Sequence, residues 1–140
     1  IQNTNGAIGY VELAYAKSNN ILYAKMVNAS GKTVEASIPS TMAAMKDAKF
    51  DDRLTAIIVN SKDPEAWPIA GFTYLIVNKD YKDCKKAEKI VSFINWALSD
   101  AAAANRASKL LYAPLPAEVT PRVIEVVNKI TCSGKPVASK

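Results

Sequence analysis

Two cysteines, fifteen lysines, three arginines, thirteen carboxylates and no histidine bound the chemistry open to this 140-residue chain. Without histidine, the Ser–His and Cys–His nucleophile pairs are excluded, and only lysine-assisted variants remain. The five glycines are isolated, so there is no nucleophile elbow, dinucleotide loop or phosphate-binding P-loop. Neither Cys84 nor Cys132 sits in a CxxC, and a zinc site on them would need carboxylates to complete it, so no metal or cofactor is expected. The local carboxylate pairs are Asp51-Asp52 and Asp63 with Glu65. Asp51-Asp52 follows Lys49-Phe50 in a polar turn and reads as a solvated loop, since spacing alone does not mark a catalytic pair. No catalytic residue is assigned and no independent enzyme is expected.

Cys84 and Cys132 admit two readings. Cys84 precedes one long helical pattern and Cys132 follows another, so antiparallel packing of those helices would bring them together as a disulfide in an oxidising compartment. Alternatively they are two unrelated buried thiols. The +5 net charge does not point to nucleic acid. Only Arg53, Arg106 and Arg122 could supply bidentate forks, and the lysines are scattered apart from Lys82, Lys85 and Lys86 around Cys84. Trp67-Pro68 is the other conspicuous pair. A bulky aromatic precedes a residue with no N–H, at the mouth of the apolar run Phe72–Val77. It reads either as a stiff connector or as an ordinary loop ending in a core strand.

The elements around these residues follow from periodicity. Ala7–Val11, Ile21–Val27, Lys32–Glu35, Leu54–Val59 and Phe72–Val77 are short apolar or alternating runs and predict strands, the second and third joined through Asn28–Gly31. A short helix is expected from Glu12 to Asn20. Ser37 with Pro39 marks another helix start, with Met42, Ala44, Met45 and Ala48 as its apolar face. From Cys84 to Asp100, the residues Ala87, Ile90, Val91, Ile94, Ala97 and Leu98 recur at helical spacing. Ser99-Asp100 caps a following helix. A last helix carries Val119, Val123, Val126, Val127 and Ile130, with Pro121 near its start, and the polar tail from Ser133 is expected to fray. Strands alternating with helices give an α/β class. At 49% hydrophobic and 22% charged the composition suits one ordinary domain, and no apolar run is long enough to span a membrane. The opening Ile1–Gly6 has no basic or apolar leader pattern, so no signal peptide is expected within it, and with no initiator Met an upstream part is expected either to have been removed or to lie outside this sequence.

Three stretches read together resemble a known family. NTNGAIGYVELAYA (Asn3–Ala16), EAWPIAGFTYLIV (Glu65–Val77) and FINWALSD with LLYAPLP (Phe93–Asp100 and Leu110–Pro116) are similar, in order and wording, to the C-terminal part of the phosphate-binding proteins of phosphate-specific ABC transporters. The resemblance runs from about Asn3 to Ile130. It implies the C-terminal part of a two-lobed type II periplasmic binding protein fold, incomplete without upstream segments. Residues 1–60 would end the second lobe. Residues 61–140 would hold the hinge crossing, with Trp67 and Pro68 in it, and the end of the first lobe.

The resemblance also implies periplasmic or extracytoplasmic localisation and capture of inorganic phosphate for the transporter's membrane subunits. A second chain, or the N-terminal portion of the same protein, would complete the trap. The family grips phosphate through hydroxyls, helix N-termini, an Asp, and an Arg near a Ser-Gly-Thr segment. No Ser-Gly-Thr occurs here and Ser133-Gly134 is in the wrong place, so no ligand-binding residue is assigned within this chain. Other oxyanions such as sulfate or molybdate, and a non-transport interaction module on the same scaffold, are the competing readings.

Overall fold

The computed structural model describes residues 3–137. In chain order the elements are α1 (Leu13–Ser18), β1 (Met26–Val27), β2 (Thr33–Val34), α2 (Ile38–Met45), β3 (Asp80–Tyr81), α3 (Cys84–Ser99), α4 (Ala101–Lys109), α5 (Thr120–Asn128), β4 (Thr131–Cys132) and β5 (Lys135–Pro136). They fall into two compact units that alternate along the sequence. The first takes residues 3–49, Ile57–Gly71 and Ser108–Ala113, and the second takes Phe50–Ala56, Phe72–Ala107 and residues 114–137.

In the first unit β1 and β2 form an antiparallel hairpin, pairing Met26 with Val34 and Val27 with Thr33. Its turn contains Gly31 at φ 81°, a conformation that glycine adopts without strain. α1 stops at Asn19-Asn20 as expected, with Asn20 at φ 51° and the Asn19 side chain donating back to the Tyr15 carbonyl. α2 starts as its sequence dictates. The Ser37 hydroxyl accepts the Ser40 N–H, the Ser40 hydroxyl accepts the Ser37 N–H, and a proline occupies the first turn. Its buried face is Ser40, Ala43, Ala44 and Met45, whereas Met42, expected inside, is half exposed.

The second unit is organised by α3 and α5. Ala87, Val91 and Ile94 from α3 pack with Val127 from α5 and with Tyr81, Ile130 and Cys132, flanked by Ile90, Leu98, Val123 and Val137. Val126, expected on the same stripe, points outward. Asp83 caps α3 by accepting the Lys86 N–H, and Asp100 caps α4 by accepting from Ala102 and Ala103. A three-stranded sheet closes the core, with β3 parallel to β4 and β4 antiparallel to β5. Sequence reasoning missed this sheet. The stretch expected to fray instead turns through Ser133 (φ 50°) and Gly134 (φ 75°), and both values suit a two-residue hairpin with the right-handed strand twist.

The other expected strands need correction. Ala7–Val11, Ile21–Lys25, Leu54–Val59 and Phe72–Val77 carry no sheet ladder. Ile8, Tyr10, Ile57 and Ile76 are 97, 100, 85 and 99% exposed, far from the burial their apolar runs called for. The physical reason is that a strand exists only by pairing, and these runs have no partner strand in the described residues. Leu54 itself lies in a turn at φ 60°, where the Asp51 carboxylate accepts the N–H groups of Arg53 and Thr55 and the Thr55 hydroxyl. Side chains replace the ladder beyond it. The Tyr74 hydroxyl donates to the Ala56 carbonyl at 3.1 Å and accepts the Ala56 N–H at 3.0 Å, and Phe72 lies between Phe50 and Tyr74 at ring distances of 5.1 and 6.4 Å.

Candidate functional site

Trp67 and Pro68 lie in the first unit, in a loop tied at several points to the rest of that unit. The Asn60 N–H donates to the Pro68 carbonyl at 2.7 Å, which closes residues 60–68 on themselves. Inside that loop the Ala66 N–H donates to the Asp63 carbonyl and the Glu65 N–H to the Asp63 carboxylate, a side-chain turn of the kind Asp and Asn make. Pro68 disfavours helical backbone at Trp67 and cannot itself donate. The Trp67 N–H instead donates sideways to the Ser40 carbonyl on α2 at 2.9 Å. Ala66 and Pro68 are buried and Trp67 is half-buried. The stretch is therefore a braced segment and not a strand mouth, and the chain leaves the first unit just beyond it, between Gly71 and Phe72.

Two surface ion pairs frame the loop. Lys46 Nζ meets Asp63 at 2.7 Å, and Lys32 Nζ meets Glu65 at 2.8 Å. The Lys46 ammonium and then the Glu65 N–H hold the Asp63 carboxyl below the usual carboxylate range, and the same hydrogen bond raises Lys46. The Lys32–Glu65 pair is exposed on both sides and fixes geometry more than it adds stability, whereas the Asp63 side chain of the other pair is only 14% exposed.

Sequence reasoning passed over Asn28, which is only 5% exposed. Its Nδ2 donates to the carbonyls of Pro64 (2.9 Å) and Ala66 (3.2 Å), while its Oδ1 accepts the Ser30 N–H, the Ser30 hydroxyl and the Lys32 N–H. The signal was present as an Asn opening a Gly-containing turn, but its reach to residues 64–66 is a tertiary fact.

Cys84 and Cys132 lie in the second unit and are bonded to each other, with Cα atoms 5.3 Å apart and a sequence separation of 48. The bond joins the first residue of α3 to β4. Beside it, Asp80 accepts the Thr131 hydroxyl and the Gly134 N–H, in that order the causes that hold its carboxyl below the usual range. A shallow groove of about 500 Å³ runs beside Lys85, Lys86, Lys89 and Phe93. The Asp83 carboxylate, which lines it and accepts the Lys86 N–H at the start of α3, sets a negative charge there that disfavours an anion. Among the described residues no group of three His, Cys, Asp or Glu could hold a metal, and no helix is long and apolar enough to cross a membrane.

Comparison with known proteins bears on this arrangement. The family profile described as "PBP superfamily domain" matches residues 1–101. The chain is 31% identical over 125 residues to "Phosphate-binding protein PstS" of Xylella fastidiosa, and 34% identical over 115 residues to the protein of the same name from Haemophilus influenzae. These alignments take in 88% and 81% of this chain but 34% of each relative, so the chain spans about a third of the length of the curated relatives it matches. A much longer protein of Acanthamoeba polyphaga mimivirus, named as a candidate serine/threonine-protein kinase/receptor, is 26% identical over 140 residues that make up 8% of its length. With most of its length matched by the profile, this α/β chain belongs to the PBP superfamily and represents part of the type II binding-protein fold.

Proposed function

We propose that the chain is the scaffold and hinge portion of a phosphate-binding protein, which captures inorganic phosphate outside the cytoplasm and delivers it to the membrane subunits of an ABC transporter. The observation that carries this reading is the similarity of 81–88% of the chain to proteins named for phosphate binding. The apolar runs without strand partners support it. Ile8, Tyr10, Ile57 and Ile76 stand in water as sheet residues do when their neighbouring strands belong to another segment. Residues 1–60 would then complete the second lobe and residues 61–140 the first, with Trp67-Pro68 at the crossing and the phosphate-gripping groups upstream. The lobes would close on the anion by a hinge motion. No catalytic role is assigned; the bacterial relatives are named as binding proteins, while the mimivirus relative is named as a kinase/receptor.

Equilibrium dialysis of the intact polypeptide that carries this chain, with labelled phosphate against sulfate and molybdate, tests the proposal. Saturable binding with phosphate preferred is the expected result, and a preference for sulfate or molybdate would reassign the anion. A second reading has its own support. The mimivirus relative holds the matching segment as 8% of a much longer protein, which favours a module that works without a transporter. Absence of binding to all three anions would select it.

A further inference from the structure

The hinge reading leaves open what holds the near end of the connector still while its far end moves. We infer that Asn28 is the positioning residue that does this, an inference that rests on the proposed hinge.

Asn28 spends the full capacity of its side chain in one place. Both Nδ2 protons go to carbonyls of the connector, Pro64 and Ala66, and Oδ1 takes three donors from its own turn, Ser30 N–H, Ser30 hydroxyl and Lys32 N–H. The side chain therefore welds residues 28–32 to residues 64–66. One residue further on, the Trp67 N–H donates to the Ser40 carbonyl, and Ser40 is itself buried and donates its hydroxyl to the Glu35 and Ser37 carbonyls. Two neighbouring points of the connector are thus held by two different elements, the hairpin turn and α2. Beyond Pro68 the segment is held at Ala70, which is buried, but not at its neighbours. Ile69 is 61% exposed, and a Cβ added at Gly71 would meet nothing within 4 Å. Gly71, where the chain passes from one unit to the other, is therefore the position downstream of the clamp at which a backbone rotation meets no side-chain packing.

The chemistry requires asparagine. Aspartate has the same shape but no donor, so Asn28→Asp loses both bonds to Pro64 and Ala66 and sets a carboxylate against two carbonyl oxygens. The turn-side bonds to Oδ1 survive. This substitution separates the clamp from the turn.

The experiment places spin labels at the exposed positions Lys17 and Lys89, one in each unit, in the intact polypeptide. It follows the label distance and its rate of change when inorganic phosphate is added, with the melting temperature recorded alongside. In the parent protein phosphate shortens the distance. In N28D the shortening is expected to slow or speed by at least about fivefold, and the unliganded distance distribution to broaden, in protein that remains folded. If N28D lowers the melting temperature but closes with the parent's rate and distribution, Asn28 is only structural and the inference is overturned while the hinge stands. If the parent distance does not respond to phosphate, the hinge reading fails and takes the inference with it. Should N28D not fold, Asn28→Ser keeps a hydroxyl acceptor for the turn but lacks the two Nδ2 donors to Pro64 and Ala66, and is read the same way, an unchanged closing rate overturning the inference.

Discussion

Asp80 shows how a single exposed carboxylate can carry local order. Its oxygen accepts the Thr131 hydroxyl and the Gly134 N–H, so it pins the last hairpin to β3. Those bonds favour the charged form and depress the folded value. A depressed carboxylate contributes stability that is fully present above its unfolded value, near 4, and is lost as pH falls through the folded one. The hairpin should therefore be unaffected from pH 8 to pH 5 and loosen in stronger acid. In NMR titrations the Gly134 amide signal is expected to move with a midpoint below that of a free carboxylate, and Asp80→Asn to abolish that step. A Gly134 signal that titrates identically in the variant would refute the role. Nothing in the sequence around Asp80 announced it, because its partners lie about fifty positions away. Asp51, by contrast, closes its own turn through Arg53 and Thr55 and was legible as a polar turn.

At the scale of elements, the disulfide and the helix pair form one device. Cys84 opens α3 and Cys132 sits in β4, so the bond closes a loop holding α3, α4 and α5 around the core of Val91, Ile94 and Val127. Cross-linking a loop of this length restricts the unfolded chain, and replacing both cysteines by serine is expected to cost about 2–4 kcal/mol in chemical denaturation. Equal stability with and without reductant would contradict that.

The same elements show what a sequence discloses. α2 and α4 were readable by a capping Ser or Asp, and α3 and α5 by a 3.6-residue apolar period, with a proline near the start of α5, all of them local signals. Phe72–Val77 was legible as strand-forming material but not as a strand, since its pairing depends on chain that is not adjacent in sequence. β3, β4 and β5 were missed for the opposite reason. Two-residue strands leave no period to detect, and the polar tail from Ser133 was read as fraying. The connector followed the same rule. Trp67-Pro68 stood out by residue type, whereas Asn28, which braces it, could be found only once residues 28 and 64–66 were placed together.

For the whole molecule, the exposed apolar runs and the one-third coverage of the bacterial relatives support one proposal: the chain supplies walls and pivot while the anion-gripping groups lie elsewhere. Calorimetric titration of the isolated 140-residue chain with inorganic phosphate, run beside the intact polypeptide, decides it. Binding heat from the intact polypeptide and none from the isolated chain is the expected result. Micromolar binding by the isolated chain would show that it holds a complete anion site of its own, and the proposal would fall.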